Sequence, residues 1–217
     1  MPEGLRERKK RQTRRRVSDV AIGLFVARGF DRVTIAEVAE AADVSVNTVY
    51  NYFTCKEDLV LPPEEASPQR LADIVRQRPA GQSALGAVLA RLRDEIRGRD
   101  RAVGLSAGFG RVLEMMRAAP TLTARLEDLG REMTEALGLV LAEETGAKQD
   151  DPLPRAVAWQ IGSLHALVYS EVGRRTAAGE SADAIAVALL ELLDTVETLL
   201  GERILTYAVR KDDSCSG

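Results

Sequence analysis

Residues 34–53 read TIAEVAEAADVSVNTVYNYF, and Thr54-Cys55-Lys56-Glu57-Asp58-Leu59 follow at once. The stretch divides into two short helices and a tight turn. Ile35, Val38, Ala39 and Ala42 recur at the i, i+3, i+4, i+7 spacing of one buried helical stripe. Thr34 stands at the N-cap position, and Glu37 three residues on completes a T-x-x-E capping box. Asp43-Val44 makes the turn. Ser45 caps a second helix, on which Val46, Val49, Tyr50 and Phe53 are expected to share the inward side. Small Ala39 beside the turn lets the helices approach closely. That leaves Ser45, Asn47, Thr48 and Asn51, all short and uncharged, for the outer face.

A helix that buries its apolar side and presents amide and hydroxyl groups suits the major groove, where such groups hydrogen-bond base edges. Ser45, Asn47, Thr48 and Val46 are the expected base readers, with Asn51 on the same face. Thr34, Tyr50, Tyr52 and Lys56 carry donors for phosphate oxygens, and Lys56 would open a further helix whose N-terminus favours anions. An ordinary helical hairpin in a core is the alternative.

The positions Thr34, Val38, Ala39, Ala42, Val44, Ser45, Thr48, Val49, Tyr50, Tyr52, Phe53, Lys56, Glu57 and Leu59 together resemble the DNA-binding domain of the TetR (tetracycline-repressor) family. Two positions depart from that pattern. Asp43 stands where the family usually has Gly, and Asp enters left-handed conformations more easily than most residues. Tyr52 stands where His is common, and keeps a donor there. The resemblance implies a homodimer that reads a palindromic double-stranded DNA operator. It also implies a small-molecule effector bound in a helical body.

Outward from this stretch the chain is expected to be all-α. Its 217 residues are 45% hydrophobic and 29% charged but only 4% aromatic, and they accommodate a small reading head plus a larger core. No apolar run reaches the roughly 20 residues of a membrane span, and no signal peptide is evident, so a cytoplasmic location is expected. Cys55 and Cys215 are poorly placed for a disulfide. Lys56 is a neighbour able to lower the Cys55 thiol pKa, although a bystander cysteine is the simpler reading. The spacing of two cysteines and one histidine offers no metal site, and no cofactor is expected.

Eight Lys or Arg stand against Glu3 and Glu7 in the first 16 residues, giving +6, so the remaining 201 carry −9 of the overall −3. This basic segment is an electrostatic footprint for phosphates. Residues 1–11 are expected as a flexible arm and 12–60 as the reading domain with its helix-turn-helix at 34–53. A regulatory and dimerisation domain follows at 61–209, and a disordered tail at 210–217. Val17, Val20, Ala21, Leu24 and Phe25 make a full stripe on the first helix, which Gly29 terminates. A fourth helix over Lys56–Leu61 is expected to break at Pro62-Pro63. Helices at about 69–77, 83–97, 103–118, 120–145 and 154–178 follow, and a last one from Ser181 past Ile204.

The last two long helices are apolar enough to pair with their copies across a two-fold axis. Candidate effector contacts are large or polar side chains on apolar faces: Leu92, Ile96, Phe109, Leu113, Met116, Trp159, Ser163, His165 and Tyr169. Gly104, Gly108 and Gly110 weaken the helix around Phe109. A single histidine without a neighbouring acid and nucleophile argues against an enzyme. A DNA-binding protein without an effector, architectural or controlled by another protein, is the alternative function.

Overall fold

The computed structural model describes residues 4–61, 66–106 and 108–211. Ten α-helices and no strand occur among them: α1 Leu5–Arg28, α2 Ile35–Ala41, α3 Val46–Tyr52, α4 Arg70–Gln77, α5 Ala84–Arg97, α6 Phe109–Arg117, α7 Pro120–Thr145, α8 Leu153–Ala177, α9 Ala182–Leu199 and α10 Glu202–Leu205. The chain divides into two compact units, one from the described residues of Met1–Ala66 with Gly110–Glu127, the other from those of Ser67–Phe109 with Asp128–Gly217.

The first unit is built on α1. Val17, Ser18, Ala21 and Phe25 are fully buried along one face of it. Phe30 meets Phe25 edge-on at 5.0 Å between ring centroids, and Val38, Ala39, Ala42, Val49 and Phe53 close the core from α2 and α3. The Ser18 hydroxyl donates to the Leu59 carbonyl at 2.8 Å and ties α1 to the end of the reading segment. Lys56–Leu61 does not make the expected fourth helix. A single 3-10 turn, Glu57–Leu59, forms instead, and it sets Leu59, Val60 and Leu61 into the core. The expected Pro62-Pro63 break lies outside the described residues.

Two boundaries differ from expectation. Helix α1 begins at Leu5, so residues 5–11 extend a 24-residue helix rather than forming a flexible arm; Leu, Arg, Glu and Lys there are all good helix formers. Residues Gly110–Glu127 belong to the reading unit rather than to the regulatory domain assigned to 61–209. Met115, Ala119 and Leu122 supply apolar surface that joins its core, and Arg125 pairs with Asp58 at 2.9 Å.

The second unit is a helical body. Ser83 and Ser181 cap α5 and α9, each accepting from the backbone N–H three residues on. The helix expected over 103–118 is shorter, because Gly104 (φ 71°) and Gly108 (φ 84°) take left-handed conformations ahead of α6. Gly104 also has the Phe109 ring where a Cβ would stand. The last long helix stops at Leu199, and α10 is a separate turn after Gly201. Arg210 is ordered, contrary to the expected tail: its backbone pairs with Gly81 and Gln82, and its guanidinium donates to the Arg76 and Arg78 carbonyls. Buried Arg78 completes the clasp, donating to Glu144 and to the Ala208 carbonyl. Cys215 lies outside the described residues.

Candidate nucleic-acid interface

The two helices of the motif are held by their caps. Thr34 Oγ1 accepts from the Glu37 amide at 3.2 Å, and the Glu37 carboxylate accepts from the Thr34 amide at 2.7 Å and its hydroxyl at 2.8 Å. Arg28 adds an ion pair to the other carboxylate oxygen at 2.5 Å. The Thr34 backbone hydrogen bond first, then Arg28, holds the Glu37 carboxyl down to about 2. The Thr34 hydroxyl proton is therefore engaged in the cap, not presented to phosphate as the sequence suggested. At the turn, Asp43 adopts φ 51°, the left-handed geometry that its position demands. The Val44 amide closes the turn onto the Ala39 carbonyl at 3.0 Å.

Ser45 caps α3 by accepting from the Thr48 amide at 3.0 Å, and the two hydroxyls lie 2.8 Å apart. Val49 and Phe53 are buried beneath the helix, and Tyr52 is half-buried against the same core. Val46 and Tyr50, expected on the inward stripe, face out at 38% and 58% exposure. For Tyr50 the reason is phase: with Val49 and Phe53 pointing straight in, Tyr50 and Asn51, three and four residues after Asn47, share its side instead. The exposed face thus carries Ser45, Val46, Asn47, Tyr50 and Asn51, with Thr48 half-buried at its edge. None of these is charged. This face offers amide and hydroxyl groups and one small apolar contact, which is what base-edge readout uses.

Lys56 takes a different place from the one expected. Its ammonium donates to the Phe30 carbonyl at 2.6 Å and lies 4.4 Å from the Phe30 ring centroid and 5.5 Å from that of Phe25. It acts as an internal strut between the helix junction and the end of α3. Its charge also does not activate Cys55: burial, followed by Asp58 and Glu57, pushes that thiol up. One cation that the motif reading passed over is Arg14, whose guanidinium sits 5.6 Å from the centroid of the Phe53 ring. Arg14, Ser18, Ala21 and Phe25 follow the i, i+4, i+7, i+11 rhythm of the buried face of α1, and this register was the available signal. Arg6, Arg8, Lys9, Lys10, Arg11, Arg15 and Arg16 are exposed on the same helix, a continuous source of positive potential for a polyanion.

The nine effector candidates are divided between the two units. Leu92 and Ile96 are buried in α5, while Leu113 and Met116 fall in the reading unit, where Met116 packs on its core. Trp159 is 55% exposed and Ser163 is exposed on the opposite side of α8 from Val157, Ala158, Ile161, Leu164 and Val168. Leu167 on the same helix is 39% exposed. His165 and Tyr169 do meet, with ring centroids 4.7 Å apart. Phe109 stays beside Gly104.

Residues 18–61 match the model of bacterial regulatory proteins of the tetR family. Over 202 residues the chain is 30% identical to the HTH-type transcriptional regulator TcmR of Streptomyces glaucescens, spanning 89% of this chain and 86% of that protein. It is 26% identical over 195 residues to the HTH-type transcriptional repressor KstR of Rhodococcus jostii (strain RHA1), spanning 89% and 85%. Among solved structures, native NalD, the secondary repressor of the MexAB-OprM multidrug efflux pump in Pseudomonas aeruginosa, has the same fold. Its TM-score is 0.51 at 16% identity, over 86% of this chain and 96% of that one.

Proposed function

The chain belongs to the tetR family of bacterial regulatory proteins, and from that premise we propose a transcriptional repressor that binds a palindromic operator as a homodimer and leaves it when a small, largely apolar effector enters the helical body. The observation that carries this reading is the exposed, uncharged face of α3 standing on a core closed by Val49 and Phe53. Asn47, Asn51, Ser45 and Val46 read bases. Tyr50 anchors phosphate, assisted by Thr48 and Tyr52 at the edges of the helix, and the basic turns of α1 supply the salt-dependent part of the affinity. Lys56 and Thr34 serve by holding the helices in register.

A recognition helix of seven residues contacts few base pairs, so specificity demands two half-sites presented by a symmetric pair. In α8 and α9, which pack on each other, Trp159, Leu167, Val187 and Leu199 leave apolar surface uncovered at 55%, 39%, 55% and 77% exposure. A second copy would bury it. Effector release follows if the molecule binds better to the arrangement of two heads that fits DNA poorly; equal affinity for both arrangements would shift nothing.

Light scattering tests the pairing. The expected mass is twice the 23.6 kDa of the chain, and Trp159→Glu with Leu199→Glu should halve it and weaken duplex binding. A wild-type chain that binds duplex DNA tightly as a monomer would contradict the reading.

A further inference from the structure

The N-terminal half of α1 stands clear of the core that its C-terminal half builds. Every residue from Leu5 to Gln12 is exposed, and the first buried position on the helix is Val17. These turns gain nothing from burial. Residues 5–16 also hold eight Lys or Arg against Glu7, a net +7. Arg6 and Lys10, Lys10 and Arg14, and Arg11 and Arg15 are each four residues apart, the spacing at which like charges on a helix repel. Only Glu7, four residues before Arg11, has the opposite effect. A short helix without tertiary support is marginal even with a favourable sequence. A polyanion laid along these turns would offset the repulsion.

Arg14 fixes where these turns lie relative to α3. Its guanidinium sits 5.6 Å from the centroid of the Phe53 ring, and Phe53 is the C-cap residue of α3, 2% exposed. Arg14 itself is partly exposed, and its Nε is covered without a hydrogen-bond partner among the described residues. A guanidinium stacked on an aromatic ring keeps the donors along its edge, which match two oxygens of one phosphate. Phe53 is locked in the core of the reading unit, so this cation is held beside the end of α3. Lys10 and Arg6, four and eight residues earlier, continue its side of the helix. Leu5 lies nine residues before Arg14, so the helix runs on for about 14 Å past that point. Phosphates of one strand recur about every 3.4 Å along the duplex axis, so this length can pass several.

We propose that the N-terminal half of α1 is a second DNA-contact surface. Arg14, seated on Phe53, holds a backbone phosphate beside the C-terminal end of α3. Lys10 and Arg6 take phosphates outside the base pairs that α3 reads. This assignment rests on the DNA reading above and adds its flank: contacts to the backbone alone lengthen the footprint and raise affinity without changing the sequence chosen. Phosphates also relieve the repulsion among the cations, so the exposed turns become more firmly helical on DNA.

Salt dependence separates a phosphate contact from a merely structural arginine. The full-length protein is titrated over a range of salt onto a short mixed-sequence duplex and onto the inverted repeat that the wild type selects. Arg14→Met keeps an unbranched side chain on Phe53 and removes the charge. The slope of log affinity against log salt should then fall by about 0.9 on both duplexes, with the preferred half-site unchanged. Arg6→Gln with Lys10→Gln should lower the slope by about 1.8. Neither side chain is buried, so this variant keeps the folded reading unit whatever Arg14→Met does to it. Ethylation interference should lose its signals at phosphates flanking the half-site, and amide exchange over residues 6–12 should slow at least about tenfold when wild type binds duplex. Unchanged slopes and unchanged flanking interference in both variants, with the repeat still preferred, would overturn the second surface and leave base reading by α3 standing. A wild-type protein that binds neither duplex would count against both.

Discussion

Lys56 has two possible employments, and a single substitution separates them. In Lys56→Met the chain keeps most of its apolar stem but loses the charge. A charge-assisted hydrogen bond of the kind made to the Phe30 carbonyl contributes about 1.5–3 kcal/mol. Each ammonium–ring contact adds roughly 0.5–1 kcal/mol at a partly exposed site. Methionine recovers some of this by packing on Phe25 and Phe30, so the reading unit should lose about 2–3 kcal/mol. Hydrogen exchange on α2 and α3 measures this directly, since protection there should fall roughly thirtyfold or more. The same variant is then bound to duplex DNA over a range of salt. If the ammonium is an internal strut, the slope of log affinity against log salt stays where it was. A slope reduced by about 0.9, with exchange unchanged, would mean that Lys56 spends its charge on a phosphate and would refute the strut.

Three further outcomes follow from the packing. Ser18→Ala leaves the Leu59 carbonyl without its donor inside the core and should cost about 1–3 kcal/mol, read by urea unfolding of the reading unit; an unaltered midpoint would contradict the bond. Gly162→Ala should destabilise the body by roughly 1–3 kcal/mol despite the better helix propensity of alanine, because a Cβ there would stand 2.3 Å from Thr134 Oγ1. Adding Thr134→Ala should restore most of the loss. The third outcome concerns pH. Since the folded-state pKa of His165 is depressed from 6.5 to about 4, the unfolded chain takes up a proton first as pH falls. Stability is then complete above pH 6.5 and declines by about 3 kcal/mol towards pH 4. Fluorescence of Trp159, on the same helix, should follow this loss in urea titrations, and His165→Phe should flatten it.

The reading motif was the most legible part of the chain because its signals are local. Thr34, Glu37 and Ser45 are caps that act within three residues, and Asp43 sits where only a few residue types tolerate the turn. Serine and proline punctuation likewise marked the starts of α5, α7 and α9. Long-range placement was not readable in the same way. That Met115, Ala119 and Leu122 complete the core of the reading unit depends on how a distant segment returns to it. The inward turn of the Lys56 ammonium depends on a carbonyl 26 residues away. Phase was a third difficulty: on α3 the burial of Val49 and Phe53 turns Tyr50 outward, and on α8 the burial of Ile161, Leu164 and Val168 turns Trp159 and Leu167 outward. The buried ion pair of Arg70 with Glu95 was overlooked because a charged residue in a helical pattern is ordinarily assigned to solvent.

The central claim is that the uncharged face of α3 reads base sequence in a symmetric pair. Selection of random duplexes with the purified full-length protein, carried out at two salt concentrations, tests it most directly. The expected product is an inverted repeat with half-sites about one helical turn apart or a multiple of it, recovered at both concentrations and lost when Asn47 and Asn51 are replaced by alanine. Strongly salt-dependent binding with no preferred sequence would contradict it, leaving only the basic face of α1 as a DNA-binding surface.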